Sequence, residues 1–262
     1  VSLIAVLFVV PLVWMVLSSL KTAPEVFARP FHWLPARVQW QNYATVWMNE
    51  EASMLRAFAN TLYIALFSII GQMFISSLAA YSFAKINFKG KQVVFMLFLS
   101  SMMVPSQLTI IPRFMLFKTI GLYNNLWAII LPAFFGATSI FMLRQFYMGL
   151  PNDLIEAAKI DGAGHLRIFL RIMLPLTKAA LMSLIILAFI SSWNEYMAPL
   201  IFLVKKELYT VSQNIQWYML DEFKEHNLTM AAATSAIVPV VILFIVGQKY
   251  FVEGIATSGV KG

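Results

Sequence analysis

The chain has 262 residues, 60% of them hydrophobic and only 12% charged, with a formal net charge of +7 at pH 7. A water-soluble protein of this length needs far more polar residues to cover its outside, so the composition excludes that class and describes a multi-span membrane protein. The absence of cysteine excludes disulfides and thiolate metal sites, and His32, His165 and His226 are scattered over three connecting segments, which argues against a metal centre.

The apolar run 1–20, with Pro11 inside it, is read as the first span. A secretory signal is the alternative, but the run shows neither a basic start nor a small-residue cleavage site. Residues 21–56 form a long outer loop with Pro24, Pro30 and Pro35, and with Trp33, Trp40, Tyr43 and Trp47. Aromatics of this kind suit the lipid headgroup layer, a simpler reading than a specific binding role. Span two covers 57–84, where Gly71, Ser76, Ser77, Ala79 and Ala80 supply faces on which helix backbones can pack closely. The turn 85–91 carries Lys85, Lys89 and Lys91 and no acid, which places it in the cytoplasm. Lys89-Gly90-Lys91 lacks the upstream glycine and the following Ser or Thr of a phosphate-binding loop, so energy must come from a partner or an ion gradient.

Span three is 92–111, interrupted by Pro105-Ser106-Gln107, and 112–123 is expected outside. Span four, 124–143, has Pro132 and Gly136 in its middle. Residues 144–178 are then cytoplasmic by alternation and carry five Lys or Arg. Span five is 179–204, 205–228 is the second sizeable outer loop, span six is 229–252 with Pro239, and the tail 253–262 ends inside. Each span is close to the roughly 20 apolar residues a bilayer crossing requires. Orientation rests on the two basic inner loops, because long outer loops weigh little in the charge rule. Pro105, Pro132 and Pro239 can each kink a helix whose freed carbonyl finds another donor, a common device in membrane proteins of every kind.

Two stretches carry most of the functional information. The first, 151–175, reads PNDLIEAAKIDGAGHLRIFLRIMLP. Asp153 and Glu156 stand in the spacing of a helix N-cap and a third-position acid that satisfy each other's free donors. Good helix formers follow over 154–160, Gly162-Ala163-Gly164 can end the helix in a left-handed turn, and Leu174-Pro175 redirects the chain after a second short run over 165–173. This is a short helix held just outside the membrane, with Ala157 and Ala158 allowing another surface to approach. Glu156 and Asp161 offer charges for partner arginines or for capping. In the second stretch, Glu195 is the one ionisable residue well inside an apolar run, a costly placement that points to a bundle interior or a wet cavity. Pro199 lies four residues on, so in a continuous helix the Glu195 carbonyl loses its donor. With Asn194, Ser191 and Ser192, this level either lines or gates a path, or is a structural kink whose glutamate is paired.

The first stretch resembles the EAA loop of ABC-type import permeases: E-A-A, three residues, G, nine residues, I-x-L-P. Here the pattern is met by Glu156-Ala157-Ala158, Gly162, Ile172, Leu174 and Pro175. Glu-Ala-Ala alone is a common helical triplet; seven matched positions in the penultimate inner loop are specific. Likeness extends over nearly the whole chain and to the carbohydrate-uptake class, through Ile160-Asp161-Gly162-Ala163, Ser18-Ser19-Leu20-Lys21, Asn42-Tyr43, Asn60-Thr61, Val104-Pro105 and Trp193-Asn194-Glu195-Tyr196. The ending, from Tyr250-Phe251-Val252-Glu253-Gly254 through Gly259-Val260-Lys261-Gly262, is similar to that class's C-terminal signature.

The chain most resembles the maltose-type second permease subunit. That implies a single all-α permease domain over 1–262, with six transmembrane helices and a cytoplasmic coupling helix. Asp153, Glu156, Ala157, Ala158, Asp161, Gly162, Ile172, Leu174 and Pro175 would couple to an ATPase, Asn194, Glu195 and Pro199 would line or gate the path, and Gly259, Lys261 and Gly262 would touch the ATPase from the tail. The resemblance further implies a second permease subunit, two ATP-binding subunits, an extracytoplasmic solute-binding protein and a bacterial or archaeal cell membrane. No cofactor is expected in this chain, which is not an enzyme; ATP and Mg belong to the partners. Two other classes compete. A secondary transporter would show internal repeats and several buried charges, and a membrane enzyme or scaffold with chemistry would show converging His, Asp or Glu. Neither pattern is present.

Overall fold

The computed structural model describes residues 2–220 and 225–259, with side chains over 7–220 and 225–248. Among the described residues every regular element is helical. In chain order they are α1 (Ser2–Ser19), the short α2 (Ala23–Val26) and α3 (Gln41–Met48), and α4 (Met54–Lys85). Next come α5 (Lys91–Ser100), α6 (Ser106–Thr119), α7 (Trp127–Ala133), α8 (Ala137–Gly149) and α9 (Asp153–Ile160). The segment His165–Leu176 begins as α10 (His165–Ile168), widens into a π-helical turn over Phe169–Met173 and closes as α11 (Leu174–Leu176). It is followed by α12 (Lys178–Trp193), α13 (Met197–Phe202), α14 (Val211–Tyr218) and α15 (His226–Gly259).

Three stretches are long and apolar enough to cross a membrane: Met54–Lys85, Trp127–Gly149 and His226–Gln248. Two bent pairs meet the same test together, Lys91–Met103 with Ser106–Thr119 at 95° and His165–Leu176 with Lys178–Trp193 at 77°, which raises the number to five if each is one span. The part of α1 whose side chains are described, Leu7–Ser19, is apolar but shorter.

Several expected boundaries move. The outer loop expected over 112–123 is helical as far as Thr119, with Pro112 inside α6. The chain turns earlier, because the residue before a proline avoids the helical region: Val104 is extended (φ −84°, ψ 113°) and α6 restarts at Ser106. Residues 144–149 belong to α8 rather than to the following loop. The turn expected at Leu174-Pro175 comes at Thr177, whose hydroxyl donates back to the Met173 carbonyl (2.9 Å). Span five, expected unbroken to 204, stops at Trp193 and resumes as α13. The tail expected from 253 is helical to Gly259.

The chain divides into two compact units that alternate in sequence. The first contains 1–63, 124–126 and 193–243; the second contains 64–123, 127–192 and 244–262. In the first, Asn42 is the knot. Its amide donates to the Ser19 and Lys21 carbonyls (2.8 Å each) and its oxygen accepts from Asn227 Nδ2 (3.0 Å). Tyr43 and Ser19 share a hydroxyl hydrogen bond of 2.7 Å, and the fully buried Lys21 donates to the His32 carbonyl (2.5 Å) beside the Phe31 ring. The backbone N–H and hydroxyl of Thr22 both donate to Glu25, and with the Ala36 N–H they hold its carboxyl below the usual range.

Tyr218 closes this unit at the end of α14, donating to the Ala52 carbonyl (3.1 Å) with the Val46 carbonyl at 3.4 Å. Burial first, and the Glu225 charge second, push its phenol up to about 12. A raised phenol leaves its contribution fully present below the unfolded value near 10 and removes it as pH rises through 10 towards 12. Tyr218→Phe is expected to lower stability by about 1–3 kcal/mol at neutral pH, since the buried Ala52 carbonyl loses its donor. It should also flatten the alkaline arm of the melting-temperature profile. An unchanged neutral melting temperature in the variant would count against this closure.

The second unit is built on small residues and aromatics. On α4, Ser76, Ser77 and Ala80 are buried, and Gly71 lies where any Cβ would strike the Phe134 ring. Gln72 donates to Ser139 on α8 (3.0 Å). Its apolar core gathers Tyr81, Phe83, Phe95, Leu143, Tyr147, Ile155, Ile168, Phe169 and Met173. Two cations finish the α4 carboxyl end: Arg144 Nε donates to the Phe83 carbonyl (3.3 Å) while its guanidinium lies 4.1 Å from the Phe95 ring centroid, and Lys91 reaches the Ala84 carbonyl (3.4 Å). Cations there satisfy free carbonyls and suit the negative end of the helix.

Candidate functional site

The segment 150–177 belongs wholly to the second unit, and its first element is held at both ends. The start differs from the sequence expectation. The N-cap is Asn152, and Asp153 is the first helical residue, with no side-chain cap hydrogen bond. Asn152 is drawn elsewhere: Lys85 Nζ donates to its Oδ1 and to the Leu150 carbonyl, both at 2.7 Å. The end of α4 therefore pins the start of α9. Asp153 and Glu156 lie in the first turn, where their charges suit the positive end of the helix without forming a capping box.

The other end matches the expectation. Gly162 has φ +75°, the Ala163 N–H donates to the Ala158 carbonyl (2.9 Å) and the Gly162 N–H to the Lys159 carbonyl (3.0 Å). This pair of bonds is the Schellman closure, and it needs a left-handed residue at Gly162. A Cβ there would meet nothing within 4 Å, so the requirement on this chain is conformational, not steric.

One face of α9 is bound to the unit. Ile155 is only 5% exposed in the core, and Ala158 and Ala163 pack partly against it. The two alanines therefore do different things. Three residues from Ile155, Ala158 turns inward, which corrects the reading that both alanines face a partner, while Ala157 is exposed with Glu156 and Asp161. Beyond them Ile160 is 86% exposed, and Leu154 and Leu166 are also open. Further along, Ile172 and Leu174 are half-buried against the core and Pro175 is exposed. Pro175 follows the π turn, where its missing N–H removes one intrahelical bond. His165 is tied inward by the hydrogen bond between its Nδ1 and Tyr81 Oη (3.0 Å).

The second candidate lies in the first unit. Asn194, Glu195 and Tyr196 form the break between α12 and α13, not the middle of a helix. Glu195 is half-buried, and its Oε1 accepts from the Ala198 N–H (3.0 Å), a free donor in the first turn of α13. Pro199 sits third in α13, where the N–H it lacks has no intrahelical partner anyway. The expected loss of a donor at the Glu195 carbonyl therefore does not arise. Gln213 completes the other end of α13: its Nε2 donates to the Pro199 (3.2 Å) and Leu203 (3.1 Å) carbonyls. Of the tail residues, Gly259 ends α15, while Lys261 and Gly262 lie outside the described residues.

Sequence reasoning missed Lys85, Asn152, Ile155 and Gln213. Ile155 was legible as one of two apolar residues, with Leu154, at the spacings that share a face with Ala158. Asn152 answers to the Lys85 ammonium 67 positions away and leaves no local signal. Thr210 and Gln213 stand at capping-box spacing, though the bonds from Gln213 to the Pro199 and Leu203 carbonyls are not local.

The all-helical fold with several apolar spans is matched by comparison with known proteins. The family of binding-protein-dependent transport system inner membrane components matches residues 72–257. The arabinooligosaccharides transport system permease protein AraQ of Bacillus subtilis (strain 168) is 33% identical over 99% of this chain and 93% of its own length. The crystal structure of a bacterial ABC transporter involved in import of the acidic polysaccharide alginate superposes with a TM-score of 0.85, at 23% identity, over 95% of this chain and 93% of that one. A bacterial alginate ABC transporter in complex with a periplasmic protein bound to alginate pentasaccharide gives a TM-score of 0.67 at 14% identity, over 95% and 90%. The chain belongs to the binding-protein-dependent inner membrane components, among the permeases of the carbohydrate-uptake class.

Proposed function

We propose that this chain is one of two permease subunits of an ATP-driven importer of sugars or oligosaccharides. It forms half of the translocation path, crosses a bacterial or archaeal cell membrane six times, and carries α9 on the cytoplasmic side as the coupling helix. The observation that carries the reading is α9 itself. A short helix fixed by Lys85 at one end, by the Gly162 turn at the other and by Ile155 beneath can pass on a rigid-body push, which a loose loop cannot. Its outer face offers Ala157 and the exposed Ile160 to a partner, with Glu156 and Asp161 beside them.

Two ATP-binding subunits would supply the motion, with ATP and Mg bound there and not in this chain. The tail around Gly259, Lys261 and Gly262 would add a second contact with them. A solute-binding protein would deliver the sugar, a role supported by the periplasmic protein in complex with one of the alginate transporters. The name of the Bacillus relative supports an oligosaccharide cargo.

Asn194, Glu195 and Pro199 border this path in the proposed topology, in which Glu195 acts by positioning, a role supported by its hydrogen bond with the Ala198 N–H. Glu195→Gln keeps an oxygen for the Ala198 N–H, so uptake within about twofold of the parent is expected, whereas Glu195→Leu removes the cap and costs about 1 kcal/mol of local stability. A Gln variant that binds and assembles normally yet transports nothing would restore the gating role.

The whole reading is tested by purifying the chain with its co-expressed partners and reconstituting it in vesicles. Two ATPase subunits and a dissimilar permease should accompany it, and uptake should need ATP and survive ionophores. Uptake by the chain alone, driven by an ion gradient, would establish the secondary-transporter reading instead.

A further inference from the structure

We infer that a cleft of about 120 Å³ in the first unit is a subsite for one uncharged sugar ring. The inference rests on the sugar-importer reading and adds to it a place and a ligand class. Three aromatic side chains, Tyr196, Tyr209 and Trp217, line the cleft with Leu200 and the amides of Gln213 and Gln216. A pyranose has an apolar C–H face and a rim of hydroxyls, which match flat aromatic surfaces and amide groups respectively. Gln213, Gln216 and Trp217 recur at the spacing that puts them on one side of α14, and Leu220 follows just beyond its end.

The walls are fixed before any ligand arrives. Gln213 is occupied structurally, joining the Pro199 and Leu203 carbonyls to the Thr210 N–H (3.1 Å). Asn60 Nδ2 holds the Glu207 (2.8 Å) and Tyr209 (3.1 Å) carbonyls, and Thr61 Oγ1 accepts from the Val211 N–H (2.9 Å). The exposed Gln216 is thus the amide left for a ligand, on a scaffold that needs little ordering to bind.

Charge decides the ligand class. Among the described residues no acidic or basic side chain lines the cleft. Lys206 lies 5.7 Å from the Trp217 ring centroid, but Glu51 pairs with it at 2.6 Å, so this neighbouring cation is already neutralised. An acidic sugar would find no counter-charge; a neutral one loses nothing.

The test is saturation-transfer NMR on the assembled importer in nanodiscs without its binding protein, using melibiose, raffinose and arabinobiose as neutral probes and digalacturonate as the charged one. At least one neutral probe should give ring-proton transfer, weakened about tenfold or more in apparent affinity by Trp217→Ala and by Gln216→Ala, with Trp217→Phe within about threefold. Digalacturonate should give none. No transfer from any neutral probe, equal transfer from the acid, or affinities untouched by both alanine variants would each overturn the proposal. Gln216→Ala, at an exposed position, decides the matter if Trp217→Ala fails to assemble. ATP-driven uptake by the parent, reconstituted in vesicles together with its solute-binding protein, is measured alongside. Uptake with variant-insensitive binding removes the cleft alone, whereas absent uptake removes the importer reading.

Discussion

Ile155→Ala is expected to disconnect the short helix α9 while leaving the rest of its unit folded. Ile155 is the one residue of that helix buried outright in the core, so truncation removes the transfer free energy of the lost carbons and leaves a cavity beneath the helix, together about 2–5 kcal/mol. The other attachments, Lys85 to Asn152 and the turn at Gly162, hold the ends but supply little apolar contact. Hydrogen exchange should therefore speed up by roughly thirtyfold or more for the amides of 156–163, with the α4 core amides unaffected. In the proposed mechanism ATP hydrolysis continues and uptake falls by about the same factor, because the lever no longer moves the bundle. Full protection of α9 together with full uptake would show that the helix is held in some other way.

The second large effect is expected at Asn42. Asn42→Leu keeps the shape but leaves the Ser19 and Lys21 carbonyls without a donor and Asn227 Nδ2 without an acceptor. A buried polar group left unpaired costs about 1–3 kcal/mol, so three of them amount to about 3–9 kcal/mol. That is a large part of the stability of a typical folded unit. The variant should express poorly, melt well below the parent in detergent, and be cut by protease in the first unit. Asn42→Ala should be milder, since water can enter and take up the freed groups. A Leu variant with the parent's melting temperature would mean that this network contributes nothing net.

How much of this was legible in the sequence depended on the range of the cause. Membrane character, the turn after Lys85, the break at Pro105 and the left-handed Gly162 each follow from composition or from one or two adjacent residues, and the structure has them. The start of α9 was misplaced because Asp153 and Glu156 offered a local cap, while the winning partner of Asn152 is Lys85, 67 positions away. Glu195 looked like a charge inside a helix because nothing local announced a break; the break is stabilised by Gln213 and by Glu195 itself. The Ala157–Ala158 pair read as one surface, yet the 3.6-residue period carries Ala158 round to the core beside Ile155.

The central claim is that α9 touches an ATP-binding subunit, and the absence of cysteine in this chain makes a direct measurement simple. A single cysteine at Ile160 or Ala157, both exposed, carries a short crosslinker in the assembled importer, with and without ATP. Crosslinks to an ATPase subunit from both positions, and none from a cysteine at the half-buried, inward-turned Ala158 position, are the result expected. Assembled, ATP-hydrolysing particles in which neither Ile160 nor Ala157 ever reaches that subunit would contradict it.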